Sequence, residues 1–270
     1  MAHWNIAFIT GGGSGIGRRI AEVLLREGSS VAIFDRSNNP EVVAELEAIA
    51  AQLPGVSCRF YQADVTDAAG LSEAVLAAIQ EVGTPDFALN CAGIQIAKTF
   101  EELTAAEFET VVGVNLFGSR NFAAAVLPHM TRGGQFSLIA SLAGLVTSYS
   151  YSAYNASKHG VVGLAGALRL EYIEKGVEVS VICPPEINTP MVVEERKMLA
   201  PAGAKLKDAA GTLELEPACE YILAHIKRRQ YMIIPGFRAR CITVVARFFP
   251  GIMRKFSERT VITTLREKSA

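Results

Sequence analysis

The sequence predicts an α/β fold: a single domain with a doubly wound, mostly parallel sheet, helices on both faces and a helical extension at the C-terminus. Short apolar runs alternate with segments of helical period along the chain, and each strand-helix-strand unit spans roughly 25 to 45 residues, the size of a crossover unit. The chain has 270 residues, half of them hydrophobic, enough for one large core. We expect a main domain over residues 1–234 and a basic amphipathic extension over residues 235–270.

The predicted strands are short and apolar, as expected for strands that are covered on both faces of a parallel sheet. They run from Ile6 to Ile9, Ser30 to Phe34, Ser57 to Tyr61, Phe87 to Asn90, Phe136 to Ala140, Val177 to Cys183 and Tyr231 to Ile234. The stretch from Gly133 to Ser157 lacks charged residues and is long enough to span a membrane. Its Ser, Thr, Tyr, Asn and Gly residues instead favour a buried strand, a polar loop and the start of a helix.

The predicted helices follow from apolar periodicity and from end signals. The first ends at Gly28, a candidate C-cap. A long helical segment runs from about Thr104 to Met130, with Glu107 completing a capping-box pattern, and another runs from Ser152 to a point before Gly176.

Beyond Pro190 the helical pattern weakens. We expect a helix from Met191 to Leu199, a loop from Pro201 to Gly211 and a helix from Leu215 to Arg228.

The composition excludes several classes of function. A net charge of -1 argues against a nucleic-acid partner, which requires a surplus of clustered Lys and Arg. The five cysteines are widely spaced without a CxxC pair, and none of the four histidines has a metal-ligand spacing. We therefore expect reduced thiols and no metal site. The N-terminus lacks the pattern of a signal peptide, which favours a cytoplasmic location.

A glycine-rich segment, Thr10-Gly11-Gly12-Gly13-Ser14-Gly15-Ile16-Gly17, lies between the first strand and the first helix. Glycines at such a turn let the backbone approach a pyrophosphate, which free amides and the positive end of the helix bind. Asp35 ends the second strand 18 residues after Gly17, where an acidic residue binds the adenosine ribose in Rossmann folds. The sequence therefore predicts a dinucleotide-binding Rossmann fold.

Asp35 also favours NAD over NADP. Its carboxylate can accept hydrogen bonds from both ribose hydroxyls, whereas it would repel a 2'-phosphate. The neighbouring Arg36 keeps NADP open, because its guanidinium could turn onto that phosphate. We expect NAD as the cofactor, with NADP as the less favoured alternative.

Ser141, Tyr154 and Lys158 form a second candidate group. Tyr154 and Lys158 lie four residues apart on a predicted helix and so project from one face. An ammonium about 4 Å from a phenol favours the phenolate by on the order of 4 kcal/mol at an effective dielectric of 20, which would bring the Tyr154 pKa towards neutral pH. This spacing also occurs on ordinary helix surfaces, so the pair alone identifies no catalytic site.

Together these motifs resemble the short-chain dehydrogenases/reductases over about residues 5–234. Further segments stand in the order and spacing of that family: Asp64-Val65, Asn90-Cys91-Ala92-Gly93, Asn115, the pentapeptide from Tyr154 to Lys158, and Pro184 to Thr189. The resemblance implies a nicotinamide-dependent oxidoreductase.

The resemblance also implies catalytic roles. Tyr154 would exchange a proton with the substrate oxygen, Ser141 would orient that oxygen, and Lys158 would lower the Tyr154 pKa and bind the nicotinamide ribose. Asn115 would hold a water in a proton relay, although a polar residue that bends its helix is an alternative interpretation.

For the cofactor, the resemblance implies adenine contacts from Asp64 and Val65, and carboxamide contacts from Ile187 and Thr189. Asn90 and Gly93 would line the cofactor. The full expected cofactor-binding set is Gly11, Gly13, Ser14, Gly15, Ile16, Gly17, Asp35, Arg36, Asp64, Val65, Asn90, Ala92, Gly93, Tyr154, Lys158, Pro184, Ile187 and Thr189.

Two residues depart from the family pattern. Cys91 replaces a second Asn often found after the fourth strand, and a small buried thiol can occupy that site. Pro185 stands where the family usually has Gly, so the loop that would hold the nicotinamide loses an amide and is stiffer.

The segment from Pro184 to Pro190, continuing through Glu194-Glu195-Arg196-Lys197, resembles the ketosphinganine reductase-like branch, which implies a long-chain or otherwise hydrophobic keto or hydroxy substrate. From Pro235 onwards the chain carries eight Lys or Arg and two Glu, a net charge of +6 against -7 for the remainder. An apolar face rimmed by arginines is typical of a helix at an anionic lipid surface. Packing over the substrate pocket or at a subunit interface is the alternative.

The sequence therefore predicts an oxidoreductase that transfers a hydride between a nicotinamide cofactor and a secondary alcohol or ketone in lipid metabolism. An oxoacyl carrier-protein reductase and a steroid-type keto reductase remain alternatives. A non-catalytic dinucleotide-binding sensor or scaffold is a further alternative, which the intact catalytic set disfavours. We expect a homodimer or homotetramer formed through the two long helices, about residues 104–130 and 152–175.

Overall fold

The computed structural model describes residues 3–189, 192–193, 196 and 199–269. The predicted helix from Met191 to Leu199 lies largely outside these residues, as do Glu194, Glu195 and Lys197.

Seven parallel strands form the central sheet. They are β1 Ile6–Thr10, β2 Ser30–Asp35, β3 Cys58–Gln62, β4 Phe87–Asn90, β5 Gln135–Ile139, β6 Glu178–Ile182 and β9 Met232–Ile233. Their order is β3-β2-β1-β4-β5-β6-β9, so the strand order reverses between β1 and β4. A separate parallel pair consists of β7 Glu186–Ile187 and β8 Thr212–Leu213.

The helices connect these strands and cover both faces of the sheet. Their bounds are α1 Gly15–Arg26, α2 Pro40–Ala50, α3 Ala68–Glu81, α4 Ala105–Val112, α5 Gly118–Val126, α6 Ser152–Tyr172, α7 Pro201–Ala210, α8 Leu215–Lys227, α9 Phe237–Phe248 and α10 Pro250–Ser269. The predicted doubly wound α/β fold is confirmed, and the predicted strand ends differ from the observed ones by at most one residue.

Alternating side chains of each strand supply two cores, one on each face of the sheet. On β1, Phe8 joins the core beneath α3, α5 and α6, whereas Ile9 joins the core beneath α1, α2 and α8. Phe122 of α5 is fully buried, with its ring centroid 6.0 Å from those of Phe34 and Phe136. These cores fix the carboxyl ends of the strands along one edge, where parallel sheets bind ligands.

Two predicted elements are corrected by the structure. The segment from Pro201 to Gly211 is helix α7 and not a loop: Pro201 occupies the first turn, where its missing amide costs no hydrogen bond, and Gly211 follows the last turn with φ +78°. The long segment from Thr104 has the predicted capping box with Glu107. It is interrupted by a π-helical turn, Gly113–Phe117, and α5 ends at Val126.

The C-terminal extension forms two helices and not one. The helical conformation is interrupted at Phe249, directly before Pro250. The first turn of α10 accommodates the proline ring. Helix α10 packs against α7 and α9. Among the described helices, none combines the length and the apolar character that crossing a bilayer requires.

Candidate active site

A cavity of about 350 Å³ opens at the carboxyl edge of the sheet and extends beneath the C-terminal helices. Its wall brings together most of the expected site residues, although they come from distant parts of the chain. These wall residues are Gly11, Ser14, Gly15, Ile16, Asp35, Arg36, Asp64, Val65, Ala92, Gly93, Ser141, Tyr154, Lys158, Pro184, Ile187 and Thr189. The other expected residues, Gly13, Gly17, Asn90 and Asn115, are not part of this wall.

The glycine turn brings the start of α1 unusually close to the end of β1. A Cβ atom at Gly17 would lie only 2.3 Å from the carbonyl oxygen of Gly11, so this approach requires a glycine. Ser14 is the N-cap of α1, but its side chain makes no capping hydrogen bond. The first-turn amides of α1 therefore point towards the cavity without a capping side chain, as anion-binding helix ends do.

Asp35 closes the second strand on the same wall. Its two carboxylate oxygens accept hydrogen bonds from the backbone amides of Gly13 and Ser37, each at 3.1 Å. The exposed Arg36 follows it on the wall. Asp35 is therefore held in place against the glycine turn by backbone contacts.

Asp64 occupies the corresponding place after β3. Its carboxylate accepts hydrogen bonds from the Thr66 amide at 2.8 Å and the Thr66 hydroxyl at 2.7 Å. The bond from the backbone amide is the main cause that lowers the Asp64 pKa below its usual value. Asp64 thus fixes its own turn, and it borders the cavity beside Val65.

Asn90 holds the loop after β4 from behind. It is buried, accepts a hydrogen bond from the Thr10 hydroxyl at 3.0 Å and donates one to the Ser119 hydroxyl at 2.8 Å. The Thr10 hydroxyl in turn accepts bonds from the amides of Cys91 and Ala92. Asn90 therefore supports the wall through Thr10 and Ser119, and its expected contact with the cofactor stays a prediction.

Cys91 departs from the family pattern without a chemical consequence in this site. Burial raises the pKa of its thiol to about 12. The thiol therefore stays protonated at neutral pH and acts as a small, weakly polar filler.

Asn115 lies in the π-helical turn and is fully buried. Its side chain exchanges two hydrogen bonds with the backbone of Ile94, at 2.8 and 2.9 Å, and donates a third to the Ser157 hydroxyl at 2.9 Å. Its backbone carbonyl accepts a bond from the Ser119 hydroxyl. Asn115 therefore ties the loop after β4 to α6, and the irregular turn is the type of distortion that often occurs at functional sites.

Tyr154 and Lys158 project into the cavity from the first two turns of α6. The ammonium nitrogen of Lys158 lies 5.6 Å from the ring centroid of Tyr154 and donates a hydrogen bond to the Ile139 carbonyl at 3.0 Å. Lys158 is only 4 % exposed, so its charge acts on its neighbours with little screening by water. A cation in this position favours negative charge on the phenol oxygen.

Ser141 meets this pair from the end of β5. It is the N-cap of a short 3-10 helix, Leu142–Gly144, and its hydroxyl accepts a hydrogen bond from the Ala143 amide at 3.1 Å. This bond uses one lone pair of the hydroxyl oxygen, so its proton remains available to a ligand in the cavity.

The segment after β6 closes the wall on the other side. The Pro184 carbonyl accepts a hydrogen bond from the Leu142 amide at 2.7 Å, and Ile187 is buried. A Cβ atom built on Gly15 would contact the Thr189 side chain at 3.5 Å, which places Thr189 beside the glycine turn. Pro185 also forms part of the wall.

Away from the glycine turn the wall has a group of apolar side chains, although Lys207 and Glu186 also belong to the wall. The group includes Leu142, Val146, Leu206, Ile242, Met253 and Phe256. The last three belong to the C-terminal helices.

Tyr151 and Leu206 are among the wall residues that sequence reasoning did not single out. Tyr151 is buried, with its ring centroid 6.1 Å from that of Tyr154. A large aromatic residue directly before α6 was its only signal, and Leu206 was missed together with α7.

Comparisons with known proteins identify the family of this chain. Residues 5–200 match the family model described as short chain dehydrogenase. A 3-dehydrosphinganine reductase of Arabidopsis thaliana is 35% identical over 235 residues, which cover 85% of this chain and 69% of the relative. Levodione reductase of Leifsonia aquatica is 35% identical over 219 residues, covering 80% of this chain and 81% of the relative.

Solved structures show the same fold. A crystal structure of levodione reductase superimposes with a TM-score of 0.76 at 28% identity, covering 86% of this chain and 96% of the other. A short chain dehydrogenase from Mycobacterium paratuberculosis bound to NAD superimposes with a TM-score of 0.79 at 23% identity, covering 87% and 98%. The chain therefore belongs to the short chain dehydrogenase family of nicotinamide-dependent oxidoreductases, with 3-dehydrosphinganine reductases among its relatives.

Proposed function

We propose that this protein is an NAD-dependent oxidoreductase that interconverts a ketone and a secondary alcohol on a hydrophobic small molecule. One observation carries the proposal: Tyr154, Lys158 and Ser141 meet on a cavity with a glycine turn and a carboxylate at one end and an apolar wall at the other. The polar end suits a dinucleotide and the apolar end suits a hydrophobic substrate, so the reacting carbon would lie between them beside Tyr154.

The residues of the glycine turn fit a dinucleotide. A side chain at Gly17 would force the turn and α1 apart, and the N-terminus of α1, which no side chain caps, faces the site that a pyrophosphate would occupy. Asp35 favours NAD because its carboxylate can accept hydrogen bonds from ribose hydroxyls and would repel a 2'-phosphate. Ile187, Thr189 and Lys158 would hold the nicotinamide half. When bound, the cofactor supplies or accepts the hydride.

The chain's own residues handle the proton. In the reducing direction the Tyr154 hydroxyl donates a proton to the substrate oxygen, and in the oxidising direction the phenolate accepts it. The buried ammonium of Lys158 stabilises that phenolate, and the Ser141 hydroxyl donates a hydrogen bond that orients the substrate oxygen. Asn115 holds the loop after β4 against α6. We propose that it is also a member of the proton relay.

A long-chain keto or hydroxy compound is the substrate class that we favour, within lipid metabolism. The apolar wall contributed by α7, α9 and α10 supports it, since such a wall stabilises hydrocarbon in proportion to the area buried. The name of the 3-dehydrosphinganine reductases points the same way.

The test is a fluorescence titration with NADH and NADPH, followed by turnover of a series of ketones of increasing chain length. We expect tighter binding of NADH and a kcat/KM that rises with chain length. Binding without turnover of any ketone or alcohol would instead favour a sensor or scaffold. Tighter binding of NADPH would contradict the role given to Asp35.

We further propose a homodimer or homotetramer formed through the helices of residues 105–126 and 152–172. Phe117, Leu170 and Ile173 on or beside these helices are 60 %, 73 % and 67 % exposed, which is unusual for large apolar side chains. Sedimentation analysis of the wild type and of Leu170→Glu tests this. An assembly that persists unchanged in the variant would contradict the interface.

We also propose that the C-terminal helices contact an anionic lipid surface. Phe248, Phe249 and Ile252 lie exposed at the junction of α9 and α10, and the arginines 247 and 254 flank them. The excess of positive charge in this extension would repel a second copy of itself but attract anionic lipid. A bound membrane would bring hydrophobic substrate to the cavity, whose wall includes Phe256 of α10.

Flotation with vesicles of phosphatidylserine and phosphatidylcholine tests this contact. We expect binding that weakens with salt and is lost in Phe248→Ser/Phe249→Ser, but persists in the control Phe100→Ser, which alters an exposed side chain outside the extension. No flotation at low salt would refute the contact, and loss of self-association in the double variant would assign the surface to a second copy.

The free thiols of all five cysteines fit a reducing compartment such as the cytoplasm, which we propose as the location.

A further inference from the structure

Glu186 is a buried carboxylate to which the proposed chemistry gives no role. It lies in β7 directly after Pro185, and its side chain is only 1% exposed. An ionised side chain is costly to bury unless cations and hydrogen-bond donors surround it. The identity of those partners therefore indicates what the carboxylate does.

The partners are two cations and a hydroxyl. One carboxylate oxygen accepts hydrogen bonds from the Arg196 guanidinium, at 2.9 and 2.6 Å, and from the Thr212 hydroxyl at 2.8 Å. The other lies 2.9 Å from the ammonium nitrogen of Lys207. Arg196 also binds the Asp208 carboxylate at 3.0 Å. Glu186 is thus the centre of an ionic network.

This network joins two sides of the cavity. Glu186 belongs to the segment from Pro184 to Thr189, to which we assign contacts with the cofactor. Lys207 belongs to α7, which supplies Leu206 and other wall residues at the substrate end. The carboxylate therefore links the cofactor side of the site to the substrate wall.

The network also reaches the catalytic tyrosine. The ammonium of Lys207 lies 5.4 Å from the ring centroid of Tyr151 and 3.4 Å from its hydroxyl oxygen. The Tyr151 ring packs against Tyr154. A displacement of α7 would therefore alter the surroundings of the group that exchanges the proton.

We propose that Glu186 is a positioning residue whose carboxylate holds α7 against the cofactor-binding segment and so forms the wall that receives the substrate. This role rests on the proposed function, since it assumes that the cavity takes a ketone or alcohol. Without the negative charge, Arg196 and Lys207 lose the carboxylate that they share, and α7 is held less tightly against β7. Backbone hydrogen bonds to Leu142 and Leu213 also hold the segment from Pro184 to Thr189. Cofactor binding should therefore depend less on the Glu186 carboxylate than substrate binding does.

The variant Glu186→Gln tests this role because it keeps the shape and removes the charge. We expect a KM for the ketone raised about tenfold, with a much smaller change in kcat and in the affinity for NADH. We also expect faster tryptic cleavage at Lys205 and Lys207 of α7. The control Glu178→Gln removes a partly exposed ion pair with Arg169. It should change neither the KM for the ketone nor the rate of tryptic cleavage.

Unchanged KM and unchanged cleavage in Glu186→Gln would overturn the proposal, as would a loss confined to kcat. If Glu186→Gln fails to fold, Lys207→Met replaces it, because in that variant Glu186 still binds Arg196 and Thr212. We expect the same rise in KM for Lys207→Met. An unchanged KM would overturn the proposal. The cleavage assay requires no turnover. An inactive wild-type enzyme would therefore refute the proposed function, whereas the cleavage rates would still decide the role of Glu186.

Discussion

Replacing Gly17 by alanine tests whether the glycine turn is the dinucleotide site. The added Cβ atom would lie 2.3 Å from the carbonyl oxygen and 2.9 Å from the carbonyl carbon of Gly11. Ordinary van der Waals contact begins near 3.4 Å, so the turn and α1 must separate by about 1.1 Å. Both contacts are to backbone, which cannot rotate away as a side chain would.

A displacement of this size moves the amides that would bind the pyrophosphate. A misplacement of about 1 Å can cost about 100-fold in kcat/KM, and we expect a loss of that order for Gly17→Ala together with weaker NADH binding. The assays are fluorescence titration with NADH and steady-state turnover.

Gly163→Ala is the matched control for this substitution. Gly163 lies in α6, and apart from its chain neighbours and the nearby backbone of α6, no atom of the described residues lies within 4 Å of its added Cβ. The control should bind NADH normally, because its added Cβ atom does not touch the glycine turn. The reasoning is refuted if Gly17→Ala has a native circular dichroism spectrum and binds NADH as tightly as the wild type does.

Three further predictions concern cofactor choice, the core and acid stability. Asp35→Ser should shift the ratio of the NADPH and NADH dissociation constants at least about tenfold towards NADPH, because the repelling carboxylate is gone; an unchanged ratio in parallel titrations would contradict this. Phe122→Ala should lower the free energy of unfolding by about 3–5 kcal/mol, since the ring is fully buried between two aromatic neighbours; urea denaturation measures it, and a loss well below this range would contradict the packing. Burial of Glu186 opposes ionisation, but hydrogen bonds from Arg196, Lys207 and Thr212 lower its pKa below the usual value. Its ionised form therefore stabilises the fold above the unfolded-state pKa of about 4.3, and this contribution is lost as the pH falls through the lower folded-state pKa. Between neutral pH and pH of about 3, the free energy of unfolding, measured by urea denaturation, should therefore fall less in Glu186→Gln than in the wild type. An equal fall in both proteins would contradict this role of the ionised carboxylate.

Local sequence signals were sufficient for the sheet and for the glycine turn, whereas many of the other expected site residues came from the family resemblance. The strands of a buried parallel sheet are continuous apolar runs, and the glycine turn, Asp35 and Ser141 each follow such a run directly. Tyr154 and Lys158 could be paired from helical spacing alone. Their convergence on one cavity follows from topology, because all parallel strands end at the same edge.

The remaining features depend on tertiary contacts that leave weak traces in the sequence. The π-helical turn at Asn115 is stabilised by bonds to Ile94 and Ser157, which are distant in the chain. Helix α7 has Pro201 and Gly203 near its start, which read as loop residues, yet Gly203 is buried there. The ionic network at Glu186 joins three separate segments and could not be predicted from spacing.

The central claim is that Tyr154 exchanges a proton with the substrate oxygen, and the turnover of Tyr154→Phe tests it most directly. The substitution removes only the hydroxyl, so NADH should bind with unchanged affinity. General acid-base catalysis contributes about 100- to 10,000-fold, and we predict a fall in kcat within that range. Turnover close to that of the wild type, with NADH bound normally, would contradict the account.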